Sequence, residues 1–312
     1  MTIQECLLKW YDTEGRSLPW RGTSDPYPIL VSEIMLQQTQ VKHVLNYYDK
    51  WLKRFPSWVE LAEASDADVL EYWSGLGYNR RALALKNIAV QIIDRSNDPN
   101  HAAVPQTYED WISLKGIGPY TASALSIFTL NLKKLPIDTN VRRVLGRVYL
   151  GIHYPQLSDD DQINQEAQSI LEIERFQDIP QAIFDLANTH CLKNPICETC
   201  PLRDHCAAAP DFLAGNVEPP KRMTPKPKER IHANKKHPDR IYRGRILKYI
   251  REHQPVAAPK QGSRALTGDL RLLAASIDPT FDGRKDSKWL LAMLERLTAD
   301  GLVKLQTDKY IV

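Results

Sequence analysis

The sequence predicts an all-α body of roughly 200 residues followed by a small α+β module, two layers of evidence for one soluble-type architecture. Three observations carry that prediction. From the start to about Cys206, apolar residues recur at helical spacing between short Gly, Pro or polar breaks, and few runs alternate with strand period. After Cys206 the composition turns abruptly to Pro and Lys with few large apolar residues, as in a linker. Beyond it, three more amphipathic segments precede the closing LVKLQTDKYIV, which alternates apolar and polar residues.

Element by element, Thr2 to Tyr11 reads as a first helix. Pro28 to Arg54 reads as a second, long one, with Val31, Ile34, Met35, Val41, Val44, Leu45 and Trp51 near helical spacing. Trp58 to Ala64, Ala67 to Ser74, Arg80 to Arg95, Thr107 to Leu114, Pro119 to Leu130, Thr139 to Leu150, Asp160 to Leu171 and Gln181 to His190 follow. Each is bounded by Gly, Pro, Asn, Asp, Ser or Thr. The expected boundaries are a body over 1–210, a Pro/Lys-rich linker over 211–239 and a module over 240–312. In that module Arg240 to His253 places Ile241, Ile246, Leu247 and Ile250 on one face, and Leu266 to Ile277 and Ser287 to Asp300 form two more helices. Gly301 stops the last helix, and a hairpin turning at Thr307-Asp308 completes a winged-helix-like pattern. A helical packing domain whose hairpin caps its own core reads equally well from this segment.

The 312 residues carry a formal charge of only +3, which by itself does not announce a nucleic-acid binder. That average conceals a basic strap. Lys221 to Arg251 holds twelve Lys and Arg against Glu229 and Asp239, a local +10 that leaves −7 elsewhere. The longest apolar stretch, Ala122 to Leu132, is interrupted by Ser123, Ser126, Thr129 and Asn131, far short of the roughly 20 residues of a membrane span. The N-terminus lacks the basic start and apolar run of a secretory signal. An intracellular, cytoplasmic protein without membrane attachment is expected.

Four of the five cysteines crowd into CLKNPICETCPLRDHC, as Cys191, Cys197, Cys200 and Cys206. A disulfide scaffold would spread its cysteines to close long loops, so a metal or cluster site is the better reading. Four thiolates within 16 residues suit one [4Fe-4S] cluster or one zinc, and spacing alone leaves both open. In Gly116-Ile117-Gly118-Pro119, two glycines allow a tight turn whose N–H groups face an anion at a helix start, although a plain helix-hairpin turn explains the motif too. Asp138 precedes a helix and reads as its N-cap, a role compatible with facing a cleft and stabilising positive charge. Glu33 is the lone acid in the mostly apolar SEIMLQQTQV. It is either a solvated face residue or, if buried, a general acid with a raised pKa.

Together these motifs resemble the helix-hairpin-helix DNA glycosylase superfamily, and within it the MutY-type adenine DNA glycosylases. The resemblance covers residues 1 to about 210 through six ordered blocks: LPWR at 18–21, SEIMLQQTQV at 32–41, WSGLGY at 73–78, GIGPYTA at 116–122, IDTNVRRVLGR at 137–147, and the cysteine segment. It implies a [4Fe-4S] cluster on Cys191, Cys197, Cys200 and Cys206, although the family usually has six residues between its first two cysteines and this chain has five. It implies Glu33 as the acid that protonates the departing adenine at N7 and Asp138 as the carboxylate that stabilises the sugar cation as an anion or traps it covalently. Tyr120 takes the place where related bifunctional enzymes carry a Schiff-base lysine, so a monofunctional enzyme is expected. Gln38 and Tyr78 would be wedge residues near the opposite base, and Trp20, Arg21 and Gln181 would line the base pocket. Gly116 and Gly118 would contact phosphate.

The implied partner is duplex DNA with a mismatched or oxidised base pair, bound by a monomer in the cytoplasm, in association with the nucleoid if the cell is prokaryotic. The implied reaction is removal of adenine opposite 8-oxoguanine or guanine. Residues 240–312 lack the strand-rich pattern of the Nudix-like domain that many such enzymes carry; there the linker and module are expected to add non-specific duplex affinity. The same fold acting on thymine or uracil opposite G, and a non-catalytic Fe–S DNA-binding regulator, are the competing readings. Retention of both Glu33 and Asp138 argues against the regulator, since both carboxylates repel phosphate.

Overall fold

The computed structural model describes residues 1–312 except 97, 99–101, 219, 221–230, 233–234, 254, 260–265 and 307. The chain forms two compact units, residues 1–62 with 87–222, and residues 63–86 with 223–312. Along the chain the helices are α1 (Ile3–Glu14), α2 (Pro26–Leu36), α3 (Val41–Arg54), α4 (Trp58–Glu63), α5 (Asp66–Trp73), α6 (Arg80–Asp94), α7 (Tyr108–Ile112) and α8 (Pro119–Thr129). There follow α9 (Thr139–Leu150), α10 (Asp160–Ala167), α11 (Asp178–Thr189) and α12 (Ala209–Leu213). The C-terminal elements are α13 (Asp239–His253), β1 (Val256–Ala257), α14 (Gly268–Ile277), α15 (Ser287–Ala299), β2 (Lys304–Gln306) and β3 (Lys309–Ile311). No helix among the described residues is long and apolar enough to cross a membrane.

Local chemistry sets most helix starts. Thr2 and Glu5 form a reciprocal capping box before α1, and Ser65, Thr107 and Asp138 accept N–H bonds at the heads of α5, α7 and α9. The single helix expected over Pro28 to Arg54 is instead two. The chain breaks at 37–40, where Gln38 adopts φ +56°, and it resumes at Val41. Asp160 to Leu171 likewise splits into α10 and a 3-10 turn, Gln168–Leu171. The helix expected over Gln181 to His190 starts instead at Asp178, because proline is tolerated in a first turn.

In the first unit, Val141, Val144, Leu145 and Val148 fall at i, i+3, i+4 and i+7 of α9 and bury against α11, which presents Ile179, Ala182, Ile183 and Leu186. Helix α1 adds Leu7 and Leu8, and α10 adds Ile163. Helices α2, α3, α7 and α8 pack as a second neighbourhood, α8 lying against both α2 and α7. That packing carries the ends of α2, α8 and α9, where the chemistry sits.

In the second unit, α13, α14 and α15 pack together beside an antiparallel sheet of order β1-β3-β2. Register pairs Leu305 and Val256 with Tyr310 on opposite edges of β3. β2 and β3 pair as the expected hairpin requires, with Thr307 of its expected turn outside the described residues, and β1 adds a third strand that the two-residue VA pattern was too short to signal. The order helix, strand, helix, helix, hairpin is that of a winged helix. Five of the basic-strap residues, at 221, 222, 226, 228 and 230, lie outside the described residues. Lys235 does not behave as solvated linker. Its ammonium is buried between Asp278 (2.6 Å) and Asp286 (2.5 Å) and lies 4.7 Å from the Trp289 ring.

Candidate active site

Glu33 sits on α2, which is apolar nearly all round, with Leu30, Val31, Ile34 and Met35 also buried. The residue is 8% exposed, so the solvated-face reading fails. Burial pushes its pKa up to about 7, the negative charge of Asp138 adds to that, and a hydrogen bond donated by the Tyr120 hydroxyl opposes it. Tyr120 stands in the first turn of α8. Its own ionisation is pushed well above the phenol range by burial, then by the charges of Glu33 and Asp138. Asp138 is the N-cap of α9, as its sequence context suggests, and accepts from Asn140 N–H (2.8 Å), Val141 N–H (2.7 Å) and Asn140 Nδ2 (2.8 Å). Three groups from three elements therefore converge: a carboxyl that holds a proton near neutrality, a phenol that orients it, and a second carboxylate fixed by a helix start.

The turn before α8 is built for close backbone approach. Gly116 has φ +108°, a conformation side chains rarely adopt, and Ile88 lies 3.4 Å from where its Cβ would be. Gly118 is different: its φ is −98° and a Cβ would meet nothing, so the fold itself does not demand glycine there. Helix α8 starts with Pro119 and no side-chain cap, leaving its first N–H groups available to an anion. Gln91 pins the turn from α6, accepting from Lys115 N–H (2.8 Å) and donating to its carbonyl (3.1 Å). The GIG motif gave no hint of that partner.

Of the expected pocket residues, Trp20 is buried in the 3-10 turn Pro19–Arg21 with its ring edge-on to Tyr48 at 5.1 Å. Arg21 is committed to Asp185 through two bonds of 2.8 and 2.9 Å, and Arg16 joins the same carboxylate at 2.6 Å through Nε. Burial alone would raise Asp185, but the bonds from Arg21 and Arg16 hold its carboxyl below the usual range. Gln181 is half-buried one helical turn before Asp185 on α11, which places both on one face. Neither Arg16 nor Asp185 was singled out from sequence. Asp185 lies 164 positions from Arg21, and a lone Asp in an amphipathic helix has no local signature; Arg16, five residues before Arg21, becomes part of the cluster only through that same distant carboxylate.

Gln38 and Tyr78 are exposed and not buried with the carboxylates. They are two of four non-glycine residues with positive φ among the described residues, at +56° and +49°. Such backbone costs of order 1–3 kcal/mol and persists where its surroundings impose it. Around Tyr78 those surroundings are plain. Gly75 (φ +105°) and Gly77 (φ +77°) turn the chain, and the Gly77 carbonyl accepts from Trp73 Nε1 (3.0 Å) and Arg81 (3.1 Å). WSGLGY is thus a loop that holds a 63%-exposed tyrosine outward.

The four clustered cysteines are all free thiols and line one cavity, with Val144, Leu186, Leu202 and Phe212 among its walls. Burial pushes the thiols of Cys197 and Cys206 up and that of Cys200 up to about 12. Arg147 of α9 clamps the loop that carries the five-residue first spacing. Its buried guanidinium donates to the carbonyls of Leu192 (2.6 Å), Lys193 (3.0 Å) and His153 (2.9 Å) and reaches Cys191 Sγ at 3.4 Å. Arg143, one turn earlier, donates to the carbonyls of Cys191 (2.7 Å) and Ala187 (2.9 Å) and to Asn140 Oδ1 (3.1 Å). Since Asn140 also donates to Asp138, a continuous chain of hydrogen bonds joins the catalytic-type carboxylate to the cysteine loop.

Comparison with known proteins agrees with this arrangement. The HhH-GPD superfamily base excision DNA repair family matches residues 31–172. An adenine DNA glycosylase of Buchnera aphidicola subsp. Baizongia pistaciae is 38% identical over 208 residues, 66% of this chain and 58% of the relative, so the chain spans little more than half of that protein. The adenine DNA glycosylase of Mycolicibacterium smegmatis is 35% identical over 293 residues, 89% of this chain and 93% of the relative. Among solved structures, a thermostable thymine-DNA glycosylase superposes with a TM-score of 0.61 at 26% identity, over 67% of this chain and 95% of that one. With a buried acid, its phenol partner and a capped aspartate on the matching blocks, the chain belongs to the HhH-GPD base excision DNA repair superfamily and, within it, to the adenine DNA glycosylase family.

Proposed function

We propose that the chain hydrolyses the N-glycosidic bond of adenine mispaired with 8-oxoguanine or guanine in duplex DNA, acting as a monofunctional, monomeric enzyme in the cytoplasm. The observation that supports this best is Glu33, buried with a pKa near 7 beside Tyr120 and Asp138. Adenine leaves poorly as an anion. Glu33 donates its proton to N7 as the C1′–N9 bond breaks and the bonding electrons depart with the base, a contribution of about 10²–10⁴ in rate for a placed general acid. Asp138, held by its three N–H donors, faces the resulting oxocarbenium-like sugar as an anion. Water adds at C1′ and returns a proton to Glu33. Tyr120 orients the acid, and a phenol forms no imine with C1′, so the strand stays intact after base loss.

The base must leave the stack to reach a buried acid, and the exposed, left-handed Tyr78 and Gln38 are suited to fill the gap it leaves. Trp20, Gln181 and the Arg21–Asp185 pair form the base pocket, and Gly116 and Gly118 approach phosphate. Cys191, Cys197, Cys200 and Cys206 would hold a [4Fe-4S] cluster. Four soft donors around one cavity fit that group. When bound, the cluster supplies iron–thiolate bonds that close the 191–206 loop.

The test is a panel of duplexes carrying A:8-oxoG, A:G, T:G and U:G, each incubated with the protein and then treated with alkali. Cleavage of the two adenine duplexes alone, abolished by Glu33→Gln, is expected. Cleavage at T:G or U:G would move the substrate assignment, and no product on any duplex would favour the non-catalytic DNA-binding reading.

A further inference from the structure

The C-terminal winged-helix elements share their compact unit with residues 63–86, the α5–loop–α6 segment that carries Tyr78. Two carboxylates cross-link the two parts in opposite directions. Asp66, the first residue of α5, accepts from Lys86 of α6 (2.7 Å) and from Lys304 of β2 (2.7 Å). Asp300, which ends α15, pairs with Arg243 of α13 and with Arg80, the first residue of α6 (3.6 Å). Arg251 of α13 also reaches the Leu70 carbonyl at 3.5 Å. The anchors fall on both sides of the loop: Asp66 and Leu70 lie before it, and Arg80 comes two residues after Tyr78.

The exposed face of α15 is mixed in charge. The outward positions of α15 include Glu295 as well as Lys288 and Arg296, and Arg296 itself faces Asp239 at 3.7 Å. The wing lysine Lys304 is occupied by Asp66. A lysine that would serve a phosphate is spent on the chain's own helix.

We propose that the winged-helix module is a brace for the Tyr78 loop, with Lys304 and Asp300 as positioning residues that hold the two stems of that loop and so keep the tyrosine poised for insertion at the mispair. This rests on the reading of Tyr78 as the wedge. The module takes no part in chemistry at the sugar. Its effect is confined to how tightly a mispaired duplex is gripped and distorted, because the loop otherwise samples conformations in which Tyr78 leaves its costly left-handed backbone.

The experiment uses the full-length protein with Lys304→Ala/Arg80→Ala, Tyr78→Ala and their triple combination, and Lys304→Arg as the conservative control. Hydrogen exchange of the 74–79 amides reports the brace directly. The double variant is expected to exchange faster and to bind a mispaired duplex about three- to tenfold more weakly, the range that two exposed ion pairs can supply. Binding to a matched duplex and the single-turnover rate at saturating protein should stay within about twofold, and Lys304→Arg should restore the loop. In the Tyr78→Ala background the same two substitutions should change nothing further. Unchanged exchange at 74–79, or a loss of affinity that persists undiminished in the Tyr78→Ala background, overturns the brace. If exchange rises but Tyr78→Ala itself leaves mispair binding intact, the wedge reading fails and takes the inference with it.

Discussion

Replacing Glu33 by Gln should abolish base release and at the same time make the folded protein more stable at neutral and alkaline pH. The fold raises the Glu33 pKa from 4.5 to about 7 chiefly by burial, so the native state holds a proton that the unfolded chain has already lost. A raised pKa means stability is greatest below 4.5 and falls as pH climbs through 7, because ionising the buried carboxyl opposes folding. The full loss is about 3 kcal/mol. Most of it, roughly 2–3 kcal/mol, falls between pH 5 and pH 8. Gln cannot ionise, so the Glu33→Gln protein lacks this slope. Denaturant melts of both proteins at pH 5 and pH 8 give the quantity directly, as the growth in the variant's advantage between the two pH values. Any constant cost of burying an amide cancels in that difference. Parallel stability profiles would refute the reasoning, since they would mean that Glu33 ionises in the fold as easily as in the unfolded chain.

Other outcomes follow from the same geometry. Asp185→Asn should cost about 3 kcal/mol and lower the melting temperature, because Arg21 loses its buried counter-charge; calorimetry at pH 7 checks it. Arg147→Ala strips donors from the carbonyls of Leu192, Lys193 and His153 and should reduce iron content and the visible absorbance of the purified protein. A full complement of iron in that variant would show that the loop needs no such clamp. Gly118→Ala should stay within about 0.5 kcal/mol of the parent in stability yet bind duplex DNA several-fold more weakly, whereas Gly77→Ala should cost about 1–2 kcal/mol for its left-handed backbone. Melting curves and binding isotherms on the two variants separate these cases.

What sequence patterning reveals here is what is local. Asp138 reads as an N-cap because Thr139 to Leu150 begins directly after it, and it is one. The four cysteines read as one site because sixteen residues contain them, and they line one cavity. Glu33 is less legible. Its neighbours are apolar on all sides of α2, so only the packing of a second helix layer decides whether the carboxyl meets water. The break between α2 and α3 carries no Gly or Pro, since Gln38 itself takes the left-handed turn. Asp185, Gln91 and Lys235 each find a partner at least 24 residues away, which periodicity cannot see. The pairing of residues 63–86 with the C-terminal elements is the extreme case, with Asp66 and Lys304 separated by 238 positions.

The most direct measurement is the single-turnover rate of adenine release from an A:8-oxoG duplex between pH 5 and pH 9, at saturating protein, for the parent and Glu33→Gln. If a buried Glu33 supplies the proton, the parent rate is maximal at low pH and falls tenfold per unit above an apparent pKa of about 7, while the variant releases no adenine at any pH. A parent profile that stays flat to pH 9, or residual release by the variant at the parent's rate, would contradict the assignment.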